Sequence, residues 1–202
     1  MLQKASSDKM NKVRQLSTLG YGLANLKVGD KAIPFRLIGV DDKEHSLEDY
    51  AGKSAVAVVF SCNHCPYVRA WEDRMVQVQG DYSGKGVQLI AINGNDASRY
   101  PDDSFSKMKE RANEKHFNFP YLRDETQEVA RAYSAERTPE VFLFDGDGVL
   151  CYHGTIDDNY DDSGAVKHHY LRDALDAVVV GRSVQLAETQ PVGCSLKWKQ
   201  VS

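Results

Sequence analysis

The feature that most constrains this chain is a continuous apolar run, Ala55–Phe60, that leads directly into two cysteines and a proline. An apolar run without alternation is typical of a strand that is buried on both faces of a sheet. Pro66 has no N–H group to donate, so it favours the first turn of a helix that begins just after Cys65. The sequence therefore predicts a central strand, a cysteine pair and an amphipathic helix in immediate succession.

The spacing of the two cysteines indicates redox chemistry. Two residues separate Cys62 from Cys65, so the pair can close a small, reversible disulfide, which would be the only redox group needed, without a further cofactor. Unpaired N–H groups and the helix dipole stabilise a thiolate at a helix N-terminus. We expect Cys62 to be the nucleophile and Cys65 to resolve the mixed disulfide. Two buried, inert cysteines are the alternative.

His64 lies between the two cysteines. As a cation it would stabilise a nearby thiolate, lower the pKa of that thiol and make the oxidised form easier to reduce. We therefore expect a motif that is more oxidising than one with Gly-Pro between its cysteines.

Composition limits the class of protein. The 202 residues, 42% of them hydrophobic, suffice for one sizeable core, and the net charge of -4 gives no electrostatic footprint for nucleic acid or a membrane surface. Four cysteines are too few for a disulfide scaffold, and no signal-peptide core or membrane span is evident. We expect a cytoplasmic protein in a reducing compartment; the sequence does not indicate an oligomeric state.

The order of the predicted elements indicates an α/β sheet with an antiparallel edge and helices on both faces. We expect an N-terminal arm (1–26), one domain (27–181) and a C-terminal tail (182–202) that packs on the domain. The predicted strands cover 35–40 and 44–47 as a hairpin, 55–60, 87–92, 119–122 as a short edge strand, and 141–145 with 149–152 as a second hairpin. The first predicted helix begins near 66 and ends near 80. The other predicted helices cover 104–115, 126–134 and 169–180.

Several segments together resemble the thioredoxin superfamily. They are Val28-Gly29-Asp30 with Pro34-Phe35, the first hairpin, the strand into the cysteine pair, and Thr138-Pro139-Glu140 before Val-Phe-Leu-Phe-Asp. The chain is most similar to the peroxiredoxin-like, AhpC/TSA-related branch with a Cys-Asn-His-Cys-Pro-Tyr motif. The resemblance covers about residues 27–200 and implies a thioredoxin-like fold, a central mixed sheet flanked by helices, with an N-terminal hairpin extension.

The resemblance also implies a substrate groove at Thr138 and Pro139. In the superfamily the matching proline is cis and packs against the cysteine pair, while the residue before it offers backbone hydrogen bonds to an extended substrate. A trans proline in a turn is the alternative. The implied activity is thiol–disulfide exchange with a disulfide-containing protein or a small thiol, supported by a thiol reductant.

Peroxide reduction is a second hypothesis. Peroxiredoxins carry a Thr or Ser three residues before the peroxidatic cysteine, and counting back from Cys65 gives Cys62, so the polar donor is missing. In this hypothesis Cys65 is the peroxidatic cysteine of an antioxidant enzyme. Arg137, which stands where similar proteins often have a further cysteine, is a candidate thiolate stabiliser.

The other cysteines and the histidines leave further alternatives open. Cys194 is either a third redox cysteine, in a tail that folds back over the core, or a small buried residue beneath Trp198. Cys151, inside a predicted hairpin strand, is expected to be structural. A copper or zinc carrier would use the cysteines together with His153, His168 and His169. A cis proline against the cysteine pair tends to block a metal, so we predict no metal site.

Overall fold

A computed structural model describes residues 26–200 of the chain. The predicted N-terminal arm, apart from Leu26, lies outside the described residues, as do the last two residues of the tail. No helix among residues 26–200 is long and apolar enough to cross a membrane.

Within residues 26–200, the centre of the fold is a mixed sheet of seven strands, in the order β2-β1-β5-β4-β3-β7-β8. A separate two-stranded sheet pairs β6 with β9. The strands are β1 (Arg36–Gly39), β2 (Glu44–Ser46), β3 (Ala55–Phe60), β4 (Val87–Asn93), β5 (Tyr121–Arg123), β6 (Arg137–Thr138), β7 (Glu140–Asp145), β8 (Leu150–Gly154) and β9 (Cys194–Ser195). Strand β3 pairs parallel to β4 and antiparallel to β7, so both of its edges are occupied.

Strand β3 is buried along its whole length, as the apolar run predicts. Its alternate side chains point to opposite faces, because successive Cβ atoms alternate across a strand. Ala57 and Val59 pack into a core that also contains Trp71 and Met75 of the following helix. On the other face, Val56, Val58 and Phe60 join a core built with Tyr133, Phe142 and Phe144. The sheet therefore separates two apolar cores, and the cysteine pair follows the strand that both cores share.

In the described part of the chain, four α-helices flank the sheet: α1 (Pro66–Ser83), α2 (Phe105–Glu114), α3 (Glu128–Ala132) and α4 (Tyr170–Val178). Helix α1 begins at Pro66, as predicted, with Cys65 as its N-cap residue. It continues almost a turn beyond the predicted end near Gly80 because Tyr82 is buried and extends the apolar stripe past Val78.

The prediction of a short edge strand at 119–122 is wrong. Strand β5 lies between β4 and β1, with Ala91 opposite Tyr121 on one side and Ile38 opposite Arg123 on the other. The N-terminal hairpin β1–β2 lies on the outer side of β5. Its strand β1 pairs with β5, and its strand β2 forms the edge of the sheet. A strand of three residues has the local pattern of an edge, and its second partner comes from a distant part of the chain.

The C-terminal segment 182–200 runs along the outer edge of β8 before it reaches the cysteine pair. The N–H of His153 donates to the carbonyl of Ala187 at 2.9 Å, and the N–H of Thr189 donates to the carbonyl of His153 at 3.0 Å. Further along, β9 pairs antiparallel with β6, with Thr138 opposite Cys194. The tail thus covers an edge strand and then enters the region of the candidate site.

Candidate active site

The cysteine pair lies where β3 ends and α1 begins. Cys65 caps the helix with an extended backbone (φ −71°, ψ 124°) and Pro66 occupies the first turn. The side chains are covered, because Cys62 is 1% exposed and Cys65 is 0% exposed. The two cysteines form one buried cluster with Val68, and Tyr67 and Cys194 pack against this cluster. Cys65 is therefore at the helix N-terminus, whereas Cys62 lies three residues before it, and neither cysteine faces solvent.

The Thr138–Pro139 peptide bond is cis and lies against the cysteine pair. The Cys62 Sγ is 3.3 Å from the Thr138 hydroxyl, and the Cys65 Sγ is 3.2 Å from the Thr138 carbonyl oxygen. The buried Glu140 carboxylate fixes the backbone just before this bond. Its Oε2 accepts the N–H groups of Glu136 at 2.7 Å and Arg137 at 2.8 Å. The structure thus brings the two distant sequence elements, the cysteine motif and the Thr-Pro, into direct contact.

Cys194 completes the site. Its Sγ lies 2.7 Å from the Sγ of Cys65, although 129 positions separate the two residues in the chain. Gly193 permits this approach, because a Cβ at that position would lie 2.2 Å from the Thr138 carbonyl oxygen. Arg137 donates to the carbonyl of Gly193 at 3.3 Å, so it contacts the tail. Trp198 packs in a different apolar cluster, and Cys194 is partly exposed rather than buried beneath it.

The electrostatics of the three thiols differ. Burial and a hydrogen bond with Cys65 raise the pKa of Cys62 well above its usual value. Hydrogen bonding from the Cys62 thiol lowers the pKa of Cys65 to about 5, helped by the Cys194 thiol and opposed by burial. Burial and the contact with Cys65 raise the pKa of Cys194 to about 11. The structure therefore puts the stabilised thiolate on Cys65, whereas the sequence predicted it on Cys62.

His64 interacts mainly with a carboxylate. Its Nδ1 is 2.5 Å from the Oδ2 of Asp103, and its ring stacks on Tyr100 with 5.0 Å between centroids. The hydrogen bond to Asp103 raises the pKa of His64, and the charge of Cys65 acts in the same direction. The cationic form of the imidazole is thus favoured near the site, with Asp103 as its main partner and Cys65 as a lesser one.

Asp103 is the site residue that the sequence did not reveal. Its buried carboxylate accepts the backbone N–H of Asn63 at 2.6 Å and the side-chain amides of Asn93 at 3.2 Å and Asn95 at 3.0 Å. Burial alone would raise the pKa of Asp103, but hydrogen bonds from His64, Asn63 and Asn95 make it lower than usual. This network fixes the loop between the cysteines. A signal existed in the polar Asn93-Gly94-Asn95 directly after an apolar strand, but Asp103 itself resembles an ordinary acid before a helix.

One ligand atom each of Cys62, His64 and Asp103 lies within 4.8 Å of the other two. Protein donors already occupy both Asp103 oxygens, so we interpret this group as part of the hydrogen-bond network. Among residues 26–200, His153, His168 and His169 belong to no group of three or more possible metal ligands. His153 instead lies 2.8 Å from Glu140 through its Nε2 atom. The copper carrier inferred from these histidines thus gains no support.

Comparison with known proteins places the fold in a family. The model of the AhpC/TSA family matches residues 28–153. The chain belongs to the AhpC/TSA family. A curated relative of this AhpC/TSA protein is Thiol-disulfide oxidoreductase ResA from Geobacillus thermodenitrificans (strain NG80-2). It is 28% identical over 143 residues, which cover 66% of this chain and 76% of the relative.

Solved structures extend the similarity to most of the chain. An uncharacterized conserved protein from Geobacillus kaustophilus has a TM-score of 0.83 and 43% identity, and the match covers 88% of this chain and 95% of that one. A putative thiol:disulfide interchange protein DsbE from Chlorobium tepidum has a TM-score of 0.63 and 25% identity over 76% of this chain and 99% of its own. The match to DsbE confirms the predicted thioredoxin-like fold, and the ResA relative identifies this AhpC/TSA protein as an oxidoreductase.

Proposed function

We propose that this AhpC/TSA protein is a thiol–disulfide oxidoreductase in which Cys62 and Cys65 form a reversible disulfide. The observation that carries the proposal is the contact of both sulfurs with Thr138, next to its cis bond to Pro139, at the N-terminus of α1. The relative that is named a thiol-disulfide oxidoreductase supports the same activity. The substrate class is a disulfide of a protein or of a small thiol, and the reduced protein is regenerated by a thiol reductant.

The exchange is a two-electron reaction. The two protein thiols lose two electrons and two protons as their disulfide forms, and the substrate disulfide takes these up to become two thiols. Since the pKa of Cys65 is about 5, its thiolate predominates at neutral pH and is a good leaving group. A stabilised thiolate favours the reduced pair, so the couple is oxidising. We therefore propose Cys65 as the thiolate of the pair and Cys62 as its disulfide partner.

The test measures disulfide formation and turnover together. Reduced protein is equilibrated in glutathione buffers, alkylated and digested with trypsin, which leaves both cysteines in the peptide 54–69. We expect an internal disulfide in that peptide in the wild type and none in Cys62→Ser or Cys65→Ser. Catalysed reduction of insulin and of glutathione disulfide by dithiothreitol should be lost in Cys65→Ser and strongly reduced in Cys62→Ser. A comparison of the rates with insulin and with glutathione disulfide shows whether the substrate is a protein or a small thiol.

Cys151→Ser is the matched control. Cys151 donates to the carbonyl of Leu143 at 3.2 Å, and burial raises its pKa to about 12, so its thiol should not exchange. Cys151→Ser should therefore leave the reduction potential of the Cys62–Cys65 pair unchanged. A wild type that never forms the internal disulfide would contradict the proposal.

Peroxide reduction by Cys65 is the second candidate, and the low pKa of this thiol favours it. The thiolate would attack the peroxide O–O bond, become a sulfenic acid and release water, and a neighbouring thiol would then form a disulfide with it. Consumption of hydrogen peroxide that survives Cys62→Ser but not Cys65→Ser would support this activity. Consumption no faster than that by free cysteine would exclude it.

A further inference from the structure

The C-terminal segment presents a third sulfur to the buried pair. Cys194 Sγ is 2.7 Å from Cys65 Sγ and remains partly exposed, whereas Cys62 and Cys65 are 1% and 0% exposed. Solvent therefore reaches Cys194 more readily than Cys62 or Cys65. A disulfide or thiol arriving from solution meets Cys194 first.

The position of Cys194 is fixed by backbone contacts on both sides. Thr138 pairs with Cys194 in the β6–β9 ladder, and Gly193 packs directly on the Thr138 carbonyl. After β9, the N–H of Leu196 donates to the carbonyl of Glu136 at 2.9 Å, and Leu196 itself is buried. Next, the N–H of Lys197 donates to the side-chain oxygen of Asn95 at 2.8 Å. These contacts fix the backbone around Cys194, and they therefore hold its sulfur close to the sulfur of Cys65.

We propose that Cys194 is a redox cysteine that forms a disulfide with Cys65 and is the solvent-facing sulfur through which external thiols and disulfides exchange with the buried pair. The inference rests on the proposed function, because it supplies the route by which that exchange takes place. It goes further in assigning a sulfur beyond residue 153, where the family match ends.

Oxidation of the protein needs only a disulfide from solution, RSSR. Cys194 passes its proton to the adjacent Cys65 thiolate and attacks RSSR, so a Cys194–SR bond forms and one RS⁻ leaves with the proton from Cys65. The Cys65 thiolate then attacks the Cys194 sulfur, forms the Cys65–Cys194 disulfide and releases the second RS⁻, which takes a proton from solvent. The protein loses two electrons and RSSR gains them.

A final exchange moves the disulfide inward. Cys62 attacks the Cys65 sulfur, the Cys62–Cys65 bond forms, the Cys65–Cys194 bond breaks, and Cys194 leaves with the proton from Cys62. No electrons are exchanged with solution in this step. In the reducing direction an external thiolate attacks Cys194 and expels Cys65, whose pKa of about 5 makes it a good leaving group.

The decisive test uses the full chain carrying Cys62→Ser, in which Cys65 cannot form the proposed disulfide with residue 62. Reduced protein is treated with glutathione disulfide, alkylated with N-ethylmaleimide and digested with trypsin. Peptide 54–69 then carries Cys65, and peptide 183–197 carries Cys194. We expect these two peptides to be joined by a disulfide, with a joined fraction about tenfold lower in Cys65→Ser, since Cys62 has no comparable contact with Cys194.

A kinetic measurement covers the case in which Cys62→Ser does not fold. We expect Cys194→Ser to slow the oxidation of the Cys62–Cys65 pair by glutathione disulfide about tenfold, because both remaining sulfurs are covered. Cys151→Ser should oxidise at the wild-type rate.

The outcomes separate this proposal from the preceding one. If Cys62→Ser accumulates only glutathione adducts, or if Cys194→Ser oxidises at the wild-type rate, Cys194 does not have this role, even where the Cys62–Cys65 disulfide and exchange activity are intact. If the wild type never forms the Cys62–Cys65 disulfide but Cys65 and Cys194 still join, the proposed pair fails and the Cys65–Cys194 disulfide stands.

Discussion

The two cysteines of the motif differ in their surroundings although only two residues separate them. Cys65 is the N-cap residue of α1, and the thiols of Cys62 and Cys194 and the N–H groups of Val68 and Cys194 all act to lower its pKa. Cys62 lies three residues before Cys65, and its burial raises its pKa, as does the Asp103 charge. The hydrogen bonds that converge on Cys65, above all the one from the Cys62 thiol, therefore determine which sulfur carries the negative charge.

A titration of the reduced protein tests this assignment. The ultraviolet absorbance of the thiolate should rise with a midpoint near pH 5, set by the lowered pKa of Cys65. Cys62→Ala should move the midpoint upward, since it removes the thiol whose hydrogen bond contributes most to the shift. Cys151→Ser should leave the midpoint in place. A step that persists in Cys65→Ser would show that another sulfur is the thiolate.

The His64–Asp103 pair predicts a pH-dependent contribution to stability. The raised pKa of His64 gives a contribution that is complete below 6.5 and lost as pH rises through the raised value. The lowered pKa of Asp103 gives one that is complete above 3.8 and lost as pH falls through the lowered value. We expect His64→Gln to reduce the free energy of unfolding by about 1.5 kcal/mol between pH 3.8 and pH 6.5, and by less at alkaline pH.

Urea unfolding from acid to alkaline pH measures this difference. The exposed His116 provides the control, and His116→Gln should change the free energy of unfolding little at any pH. A His64→Gln difference that grows as pH rises above 6.5 would contradict an interaction between a cationic imidazole and a carboxylate.

At the scale of elements, the β6–β9 ladder joins the C-terminal tail to the site. It contains only two residue pairs, Arg137 with Ser195 and Thr138 with Cys194. Its geometry depends on Gly193, whose missing side chain lets the tail backbone lie against the Thr138 carbonyl. The same short ladder holds Cys194 against Cys65. The tail and the cysteine pair therefore form one unit, and displacement of one uncovers the other.

Gly193→Ala should displace the tail, because the new Cβ would lie 2.2 Å from the Thr138 carbonyl oxygen. We expect a loss of about 1 to 3 kcal/mol in the free energy of unfolding and about tenfold faster alkylation of Cys65 by iodoacetamide. Gly84→Ala is the matched control, since a Cβ at Gly84 would meet nothing within 4 Å. Unchanged alkylation in Gly193→Ala would show that the tail does not restrict access.

For the whole molecule, the sheet between two apolar cores provides the rigid support for the site. Phe142 of β7 lies in one of these cores, with ring centroids 5.8 Å from Phe60 and 5.5 Å from Tyr133. Phe60 ends the strand that leads to the cysteines, and Phe142 follows closely after the cis Thr138–Pro139 bond. One packed cluster thus fixes both halves of the site relative to each other.

Phe142→Ala should lower the free energy of unfolding by about 3 to 5 kcal/mol, because it removes a fully buried ring and leaves a cavity. Val180→Ala, at a position that is 60% exposed, should change it by less than about 0.5 kcal/mol. Denaturant midpoints with unchanged slopes would measure both effects. Equal stability of the two variants would mean that the core around β7 is not closely packed.

The parts of the fold that local pattern encodes could be predicted from the sequence. The run Ala55–Phe60, the proline after Cys65 and the stripe on α1 each act over a few residues, and the structure has those elements in those places. The interior position of β5, the carboxylate of Asp103 and the contact of Cys194 with Cys65 depend on distant segments. No periodicity in the sequence records such pairings, so they became visible only in three dimensions.

We expect the pairing of β9 with Thr138 to affect substrate choice. An extended peptide that needs the same backbone groups must compete with a strand tethered to the protein, and a tether of this kind acts at an effective concentration of about millimolar. Weakly binding peptides will lose that competition at cellular concentrations. Small molecules that need only one sulfur do not face it, and neither does a macromolecule that recognises additional surface around the tail.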